Sequence, residues 1–211
     1  MSVLTSTQHT ISLYKSRIHV IELLQNLGYN VEDYQSFSMN EIDAMNRNEQ
    51  LDMLIYHTEQ PNPKKVYVKY VSNLRQQVLE TILDDLYRNE DAILDKSKDM
   101  LIIIADEPND CMKAKLEYIY EYEKIFVVIH NIKRLQFNIL EHELVPKVRV
   151  LDEKETQEVF AKYNINSNKQ LPEISRFDPL ALAICMKPKE VCEIIRNSVT
   201  ALQTKYYRVC V

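Results

Sequence analysis

Apolar positions recur along the chain at two periods, and the changes of period mark out the elements. Ile11, Tyr14, Ile18, Ile21, Leu24 and Leu27 follow at three- and four-residue steps, which predicts a helix ended by Gly28. Ser38-Met39-Asn40-Glu41 has the form of a capping box and opens a short helix through Ile42 and Met45. Leu51 to His57 and Val66 to Val71 read as strands joined by the turn Gln60-Pro61-Asn62-Pro63, hence a hairpin. Leu74, Val78, Ile82 and Leu86 stand four apart and predict a helix whose polar face carries Asp84, Asp85 and Arg88. A buried-type strand at 100–104, a polar loop at 106–110, a helix near 112–122 and an apolar strand at 125–129 complete this part. Strands separated by helices of this length predict an α/β layer structure.

The remainder has a different grammar. Val148–Val150 reads as a short strand, and Asp152-Glu153-Lys154-Glu155 caps a helix with Val159, Phe160 and Tyr163 as its apolar positions. An Asn- and Ser-rich loop covers 164–169. Asp178-Pro179 places a carboxylate at an N-cap and proline at the first helical position. Val191–Arg196 and Tyr206–Val211 then read as paired strands. The boundary falls near Asn138–Glu141, giving an α/β domain over 1–139 and a small mixed-sheet domain over 140–211. The chain as a whole is α+β.

Composition narrows the function. Hydrophobic residues are 45% and charged residues 27%, too apolar for a disordered chain. The longest apolar run, Met100 to Ala105, is far short of the roughly 20 residues of a membrane helix, so no membrane partner is expected. Residues 1–11 lack the basic-then-apolar pattern of a secretory signal, which predicts a protein that stays inside a cell or particle. Cys111, Cys185, Cys192 and Cys210 form no C-x-x-C pair and read as reduced thiols. The five histidines show no metal-binding spacing, so no structural zinc is expected. Gly28 is the only glycine, and a phosphate-cradling loop needs several. No nucleotide or other cofactor is expected. Charge is uneven: residues 1–140 carry 15 Lys/Arg against 21 Asp/Glu, and residues 141–211 carry 11 against 10. An acidic N-terminal part cannot hold DNA strongly by itself, because phosphate neutralisation supplies most nonspecific affinity.

Three clusters invite a chemical reading. Glu141-His142-Glu143 pairs carboxylates with an imidazole, but strand neighbours point to opposite faces, so the expectation is a charged segment entering a domain. Asp178 is expected to act as a helix cap. Asp52 on one strand and Tyr67-Val68-Lys69 on the next resemble the P-D…(D/E)-x-K site of restriction-endonuclease-like folds, where two carboxylates hold a divalent metal. Tyr67 occupies the second carboxylate position and is a poor Mg²⁺ ligand, so the architecture is expected without the hydrolysis. Lys113 and Lys115, after the 106–110 loop, and Lys64-Lys65 by the turn are candidate phosphate contacts, with solvated surface lysines as the plainer reading.

The last third carries the most specific signal. Glu141-His142-Glu143-Leu144-Val145-Pro146, Gln170-Leu171-Pro172-Glu173-Ile174, Asp178-Pro179, Val191-Cys192-Glu193-Ile194-Ile195-Arg196 and Tyr206-Tyr207-Arg208-Val209-Cys210-Val211 occur in that order. Together they resemble the C-terminal domain of the small subunit shared by eukaryotic RNA polymerases I, II and III, a family with a shorter archaeal counterpart. A fainter likeness runs from Tyr14 to Val31 and includes Leu27-Gly28-Tyr29. The resemblance implies a noncatalytic subunit with a C-terminal assembly domain seated on the largest polymerase subunit. It also implies an N-terminal jaw domain with a nuclease-like, inactive core beside downstream duplex DNA, and transcription factors as further partners. The archaeal counterpart has only the assembly domain. Two departures mark a divergent member. The family has glycines before the Val191 strand, where this chain reads Lys187-Pro188-Lys189-Glu190. It favours P-S-E-T-A-G after the arginine, where this chain reads Asn197-Ser198-Val199-Thr200-Ala201-Leu202. The implied location is the nucleus, or a virion or cytoplasmic viral factory for a viral member. Two other readings stand beside this one: a metal-dependent nuclease-fold enzyme, and a free-standing adaptor derived from the polymerase subunit.

Overall fold

A computed structural model describes residues 2–59, 62–90, 92–198 and 200–211, and the chain divides into two compact units, residues 1–138 and 139–211. Each unit is built around its own sheet.

In the first unit, helix α1 (Ser2–Asn26) leads into strand β1 (Tyr29–Asn30), helix α2 (Met39–Arg47) and the strands β2 (Met53–His57) and β3 (Lys65–Tyr70). Helix α3 (Gln76–Leu83), strand β4 (Met100–Ala105), helix α4 (Asp110–Glu123) and strand β5 (Phe126–Asn131) follow. The sheet runs β1-β2-β3-β4-β5, antiparallel across its first two pairs and parallel across β3/β4 and β4/β5. β4 is buried along its whole length and β5 over Phe126–His130, which is why both read as unbroken apolar runs. β2 and β3 instead alternate. Met53 and Ile55 pair with Val68 and Val66 on the buried face, and Asp52, Tyr67 and Lys69 fall on the other.

The capping box that opens α2 is present: Ser38 Oγ accepts from the Glu41 amide, and Glu41 accepts from the Ser38 amide at 2.7 Å. Gly28 sits at φ +86°, and a Cβ there would lie 2.9 Å from His57 Nε2. Any other residue here would carry left-handed strain and press on the His57 ring. The predicted 60–63 turn includes Gln60 and Pro61, which lie outside the described residues.

Two predicted helix faces are corrected. In α1 the inward stripe is Leu13, Val20, Ile21, Leu23 and Leu24, and Ile18 is 37% exposed. In α3 the inward residues are Leu79, Ile82 and Leu83, and Val78 turns outward. A strict four-residue ladder drifts around a 3.6-residue helix, so Leu74 to Leu86 could not share one face. The helix then widens into a π turn over Asp84–Arg88, with the Asn89 amide donating to Asp84 O at 3.0 Å, and this turns Leu86 and Tyr87 inward.

The second unit holds strand β6 (Lys147–Val150), helix α5 (Glu153–Tyr163), strand β7 (Glu173–Ile174), helix α6 (Pro179–Ala183), and strands β8 (Val191–Ser198) and β9 (Leu202–Cys210). Its sheet runs β6-β8-β9-β7, with only β7/β9 parallel. The alternation along β8 and β9 supplies two cores. Cys192, Ile194 and Cys210 face Ala181, Ile184 and Met186 on one side. Val191 and Val209 face Leu151, Leu171 and the apolar stripe of α5 on the other. Both predicted caps are made: Asp152 forms a capping box with Glu155, and Asp178 Oδ1 accepts from the Leu180 amide at 2.9 Å with Pro179 beginning the helix. Among the described residues no helix is long and apolar enough to cross a membrane.

Candidate functional site

The nuclease-like cluster is assembled but closed on itself. Tyr67 Oη and Lys69 Nζ both donate to Asp52 Oδ2, at 2.9 and 2.8 Å. Burial first, and then the bond to Asp52, push the Tyr67 phenol well above its ordinary range, so it is a donor and never an anionic ligand near neutral pH. Among the described residues no group of three His, Cys, Asp or Glu side chains could hold a metal ion. The arrangement is a satisfied three-residue network, with its one carboxylate already engaged by Tyr67 and Lys69.

The lysines proposed for DNA lie on α4 and have local partners. Lys113 Nζ donates to Asp110 Oδ1 at 3.2 Å, and Lys115 Nζ pairs with Glu80 Oε1 at 2.5 Å while lying 5.5 Å from the Tyr118 ring centre. The hydrogen bond from Lys115, opposed by desolvation and helped by Arg88, holds the Glu80 carboxyl below the usual range. Each ammonium is therefore part-neutralised before any phosphate approaches.

In the C-terminal unit the motif residues separate into those that build the fold and those that face outward. Leu171 is a core residue, Pro172 O accepts from the Val209 amide at 3.0 Å, and Gln170 Oε1 accepts from the Asn166 amide at 2.8 Å. Tyr207 Oη donates to Glu193 Oε2 at 3.1 Å. Glu141, His142, Glu143 and Leu144 are exposed, Leu144 to 85%, and Val145 and Pro146 are half-buried. Residues 139–141 form a 3₁₀ turn, which corrects the strand geometry expected for Glu141-His142-Glu143. A bond from the Val145 amide to His142 O (2.9 Å) and one from the Leu144 amide to His142 Nδ1 (3.2 Å) fix the segment, and Leu140 anchors it in the core. Arg196 and Arg208 both lie against the Tyr206 ring, at 4.2 and 5.5 Å from its centre.

Residues 137–210 match the family model described as RNA polymerase Rpb5, C-terminal domain. Similar proteins include the DNA-directed RNA polymerase subunit Rpo5 of Thermococcus celer, 46% identical over 76 residues that make up 36% of this chain and 92% of that relative. The subunit of the same name from Methanococcoides burtonii is 40% identical over 73 residues, 35% of this chain and 92% of the relative. That of Staphylothermus marinus is 49% identical over 74 residues, 35% of this chain and 80% of the relative. The chain belongs to the Rpb5/Rpo5 family of RNA polymerase subunits.

Two segments of the C-terminal unit hold non-glycine residues in left-handed backbone. Lys189, in the segment 187–190, has φ +75°, and Cys185 just before that segment has φ +50°. Leu202, at the end of the segment 197–202, has φ +58°. Non-glycine residues carry the left-handed strain in these turns. Sequence reading also missed a polar knot. Glu193 is 4% exposed and accepts from Arg149 Nε (3.2 Å), Lys205 Nζ (3.0 Å) and Tyr207 Oη. Burial alone would raise this carboxyl, but the bonds from Lys205, Tyr207 and Arg149 outweigh it and hold the carboxyl below its usual range. The signal was Glu193 flanked on both sides by apolar residues, Val191-Cys192 and Ile194-Ile195, inside a predicted strand, a place where a lone carboxylate needs partners. All four cysteines are free, and burial pushes the Cys185 thiol up to about 12 and that of Cys210 to about 11.

Proposed function

We propose that the protein is a noncatalytic subunit of a multisubunit DNA-directed RNA polymerase, with its C-terminal unit docking on the largest subunit. The observation that carries this reading is the match of residues 137–210 to the Rpb5 C-terminal domain, together with 40–49% identity to Rpo5 subunits. Of the motif residues, Glu141 to Leu144 and Arg196 lie exposed at the surface, while Leu171, Asp178, Pro179 and Tyr207 hold the unit in shape. The first unit serves as the jaw domain, with an inactive restriction-endonuclease-like core. Its mixed sheet and the self-satisfied Asp52–Tyr67–Lys69 network support that reading. In the assembled enzyme the 106–110 loop and the start of α4 lie nearest downstream DNA, with Lys113 and Lys115 making weak contacts. Initiation factors reach the same jaw.

Crosslinking and mass spectrometry of the polymerase purified through this chain test the arrangement. The expected links run from Lys147, Lys187 and Lys205 to the largest subunit, and from α4 to a photoreactive downstream duplex. Links from the C-terminal lysines only to other subunits would remove the docking role, and DNA links confined to other elements would remove the jaw role of Lys113 and Lys115.

A further inference from the structure

One arginine of the first unit is buried without an anionic partner. Arg17, on α1, is 2% exposed, and among the described residues no carboxylate lies within ion-pair distance of it. Nη1 donates to Leu51 O at 2.9 Å, while Nε is buried with no acceptor from the described residues. Two aromatic rings bracket the guanidinium, Tyr34 at 5.9 Å and Phe37 at 5.3 Å. The Tyr34 ring is itself pinned, its hydroxyl donating to Leu54 O (3.0 Å) and accepting from the Leu54 amide (3.3 Å). A buried cation with this little compensation is costly, and desolvation accordingly lowers the Arg17 pKa.

The same side chain lines a cavity of about 260 Å³, walled by Tyr34, Phe37, Ile18 and Ile21. Ile18 is the residue of α1 that faces outward against the predicted stripe, so the cavity has an exposed apolar lip. Glu22 also lines it, but its carboxylate is engaged by His19 Nδ1 (3.0 Å) and Asn138 Nδ2 (3.3 Å).

We propose that this cavity is a docking site for a single Asp or Glu side chain presented by an apolar segment of a partner protein. The carboxylate pairs with the part of Arg17 that lines the cavity and supplies the opposite charge missing among the described residues, and the apolar neighbours cover the Ile18 lip. Charge favours one carboxylate over a nucleic-acid backbone. Residues 1–140 carry six more acidic than basic groups, and a duplex brings a phosphate charge about every 1.7 Å, against the single charge of one side chain. The site is pre-formed, because the Tyr34 ring and the guanidinium are held by backbone bonds and Phe37 packs against the cluster of Leu13, Ile42 and Leu51. It lies outside residues 137–210 and does not depend on the polymerase reading.

The test uses the full chain with ¹³C-labelled isoleucine methyls and the capped peptide Leu-Phe-Glu-Leu-Leu, against its Gln analogue and against inorganic phosphate. The Glu peptide should shift the Ile18 and Ile21 methyls and bind at least about tenfold tighter than the Gln analogue, as expected for a hydrogen bond between charged groups. Arg17→Met, if folded, should erase that preference. Equal binding of the two peptides would leave an apolar groove only. Equivalent shifts with phosphate alone would mark a small-anion site, and shifts on concentrating the protein without peptide would mark contact with a second copy. No shifts with any probe would mean a structural, hydrated arginine. Each of these four results overturns the proposal.

Discussion

Single side chains in this protein are decided mainly by whether burial leaves them a partner. Asp52, Tyr67 and Lys69 satisfy one another, so the expected outcome with Mg²⁺ or Mn²⁺ is no cleavage of DNA or RNA by the purified protein. Metal-dependent cleavage that vanishes in Asp52→Ala would contradict this. His130 offers a test on stability. Its ring is buried in β5, and desolvation lowers its pKa from 6.5 to about 4. The unfolded chain takes up the proton near pH 6.5 while the folded chain resists until about 4. The stability this residue supplies is therefore complete above 6.5 and is lost as pH falls through that window. Between pH 7 and 4 the native protein should lose about 3 kcal/mol more than His130→Leu in denaturant unfolding. Parallel losses in the two proteins would show that His130 is not protonated differently on unfolding.

Elements respond to backbone demands that side-chain periodicity does not report. Leu202 is 86% exposed at φ +58°, a left-handed residue with no packing to compensate it. Leu202→Gly should stabilise the protein by up to about 1 kcal/mol, since relief of the left-handed strain exceeds the added freedom of the unfolded chain. Unchanged or reduced stability by thermal unfolding would mean that the turn is not strained. The residues of this turn were legible in the sequence, but its left-handed backbone was not, because φ is set by the turn and not by the residue placed in it. Where a local rule was complete, the element was legible. Ser38/Glu41, Asp152/Glu155 and Asp178-Pro179 each fixed a helix start, and the unbroken runs at 100–104 and 125–129 gave the central strands. The two-residue strands β1 and β7 have no periodicity to read and exist through long-range pairing with His57 and Tyr56, and with Val209 and Cys210. The faces of α1 and α3 failed for another reason: exposed Ile18 and Val78 match the pattern as well as buried residues do. The Arg17 cavity was invisible because it joins α1 to residues 34–42 and to the start of the β2 segment at Leu51, a tertiary event with no local signature.

The molecule as a whole is two units with separate sheets and separate cores. A fragment of residues 139–211 retains the whole of its sheet, both caps and the Glu193 knot, so it should fold alone, with the marginal stability of a domain this small. A flat, coil-like circular dichroism spectrum from that fragment would show that it needs the first unit. The charge division matters at the same scale. The acidic first unit, free in solution, should hold DNA no better than ordinary nonspecific binding. The jaw role proposed above therefore requires that an assembly carry the first unit, and the C-terminal unit is the part with the family likeness. The most direct measurement is the stoichiometry of a complex purified from its native source through a tag on this chain. Recovery of the two largest polymerase subunits at one copy each per copy of this chain is the expected result. Recovery of the chain alone, or with partners that exclude those subunits, would contradict its assignment as a polymerase subunit and favour a free-standing adaptor.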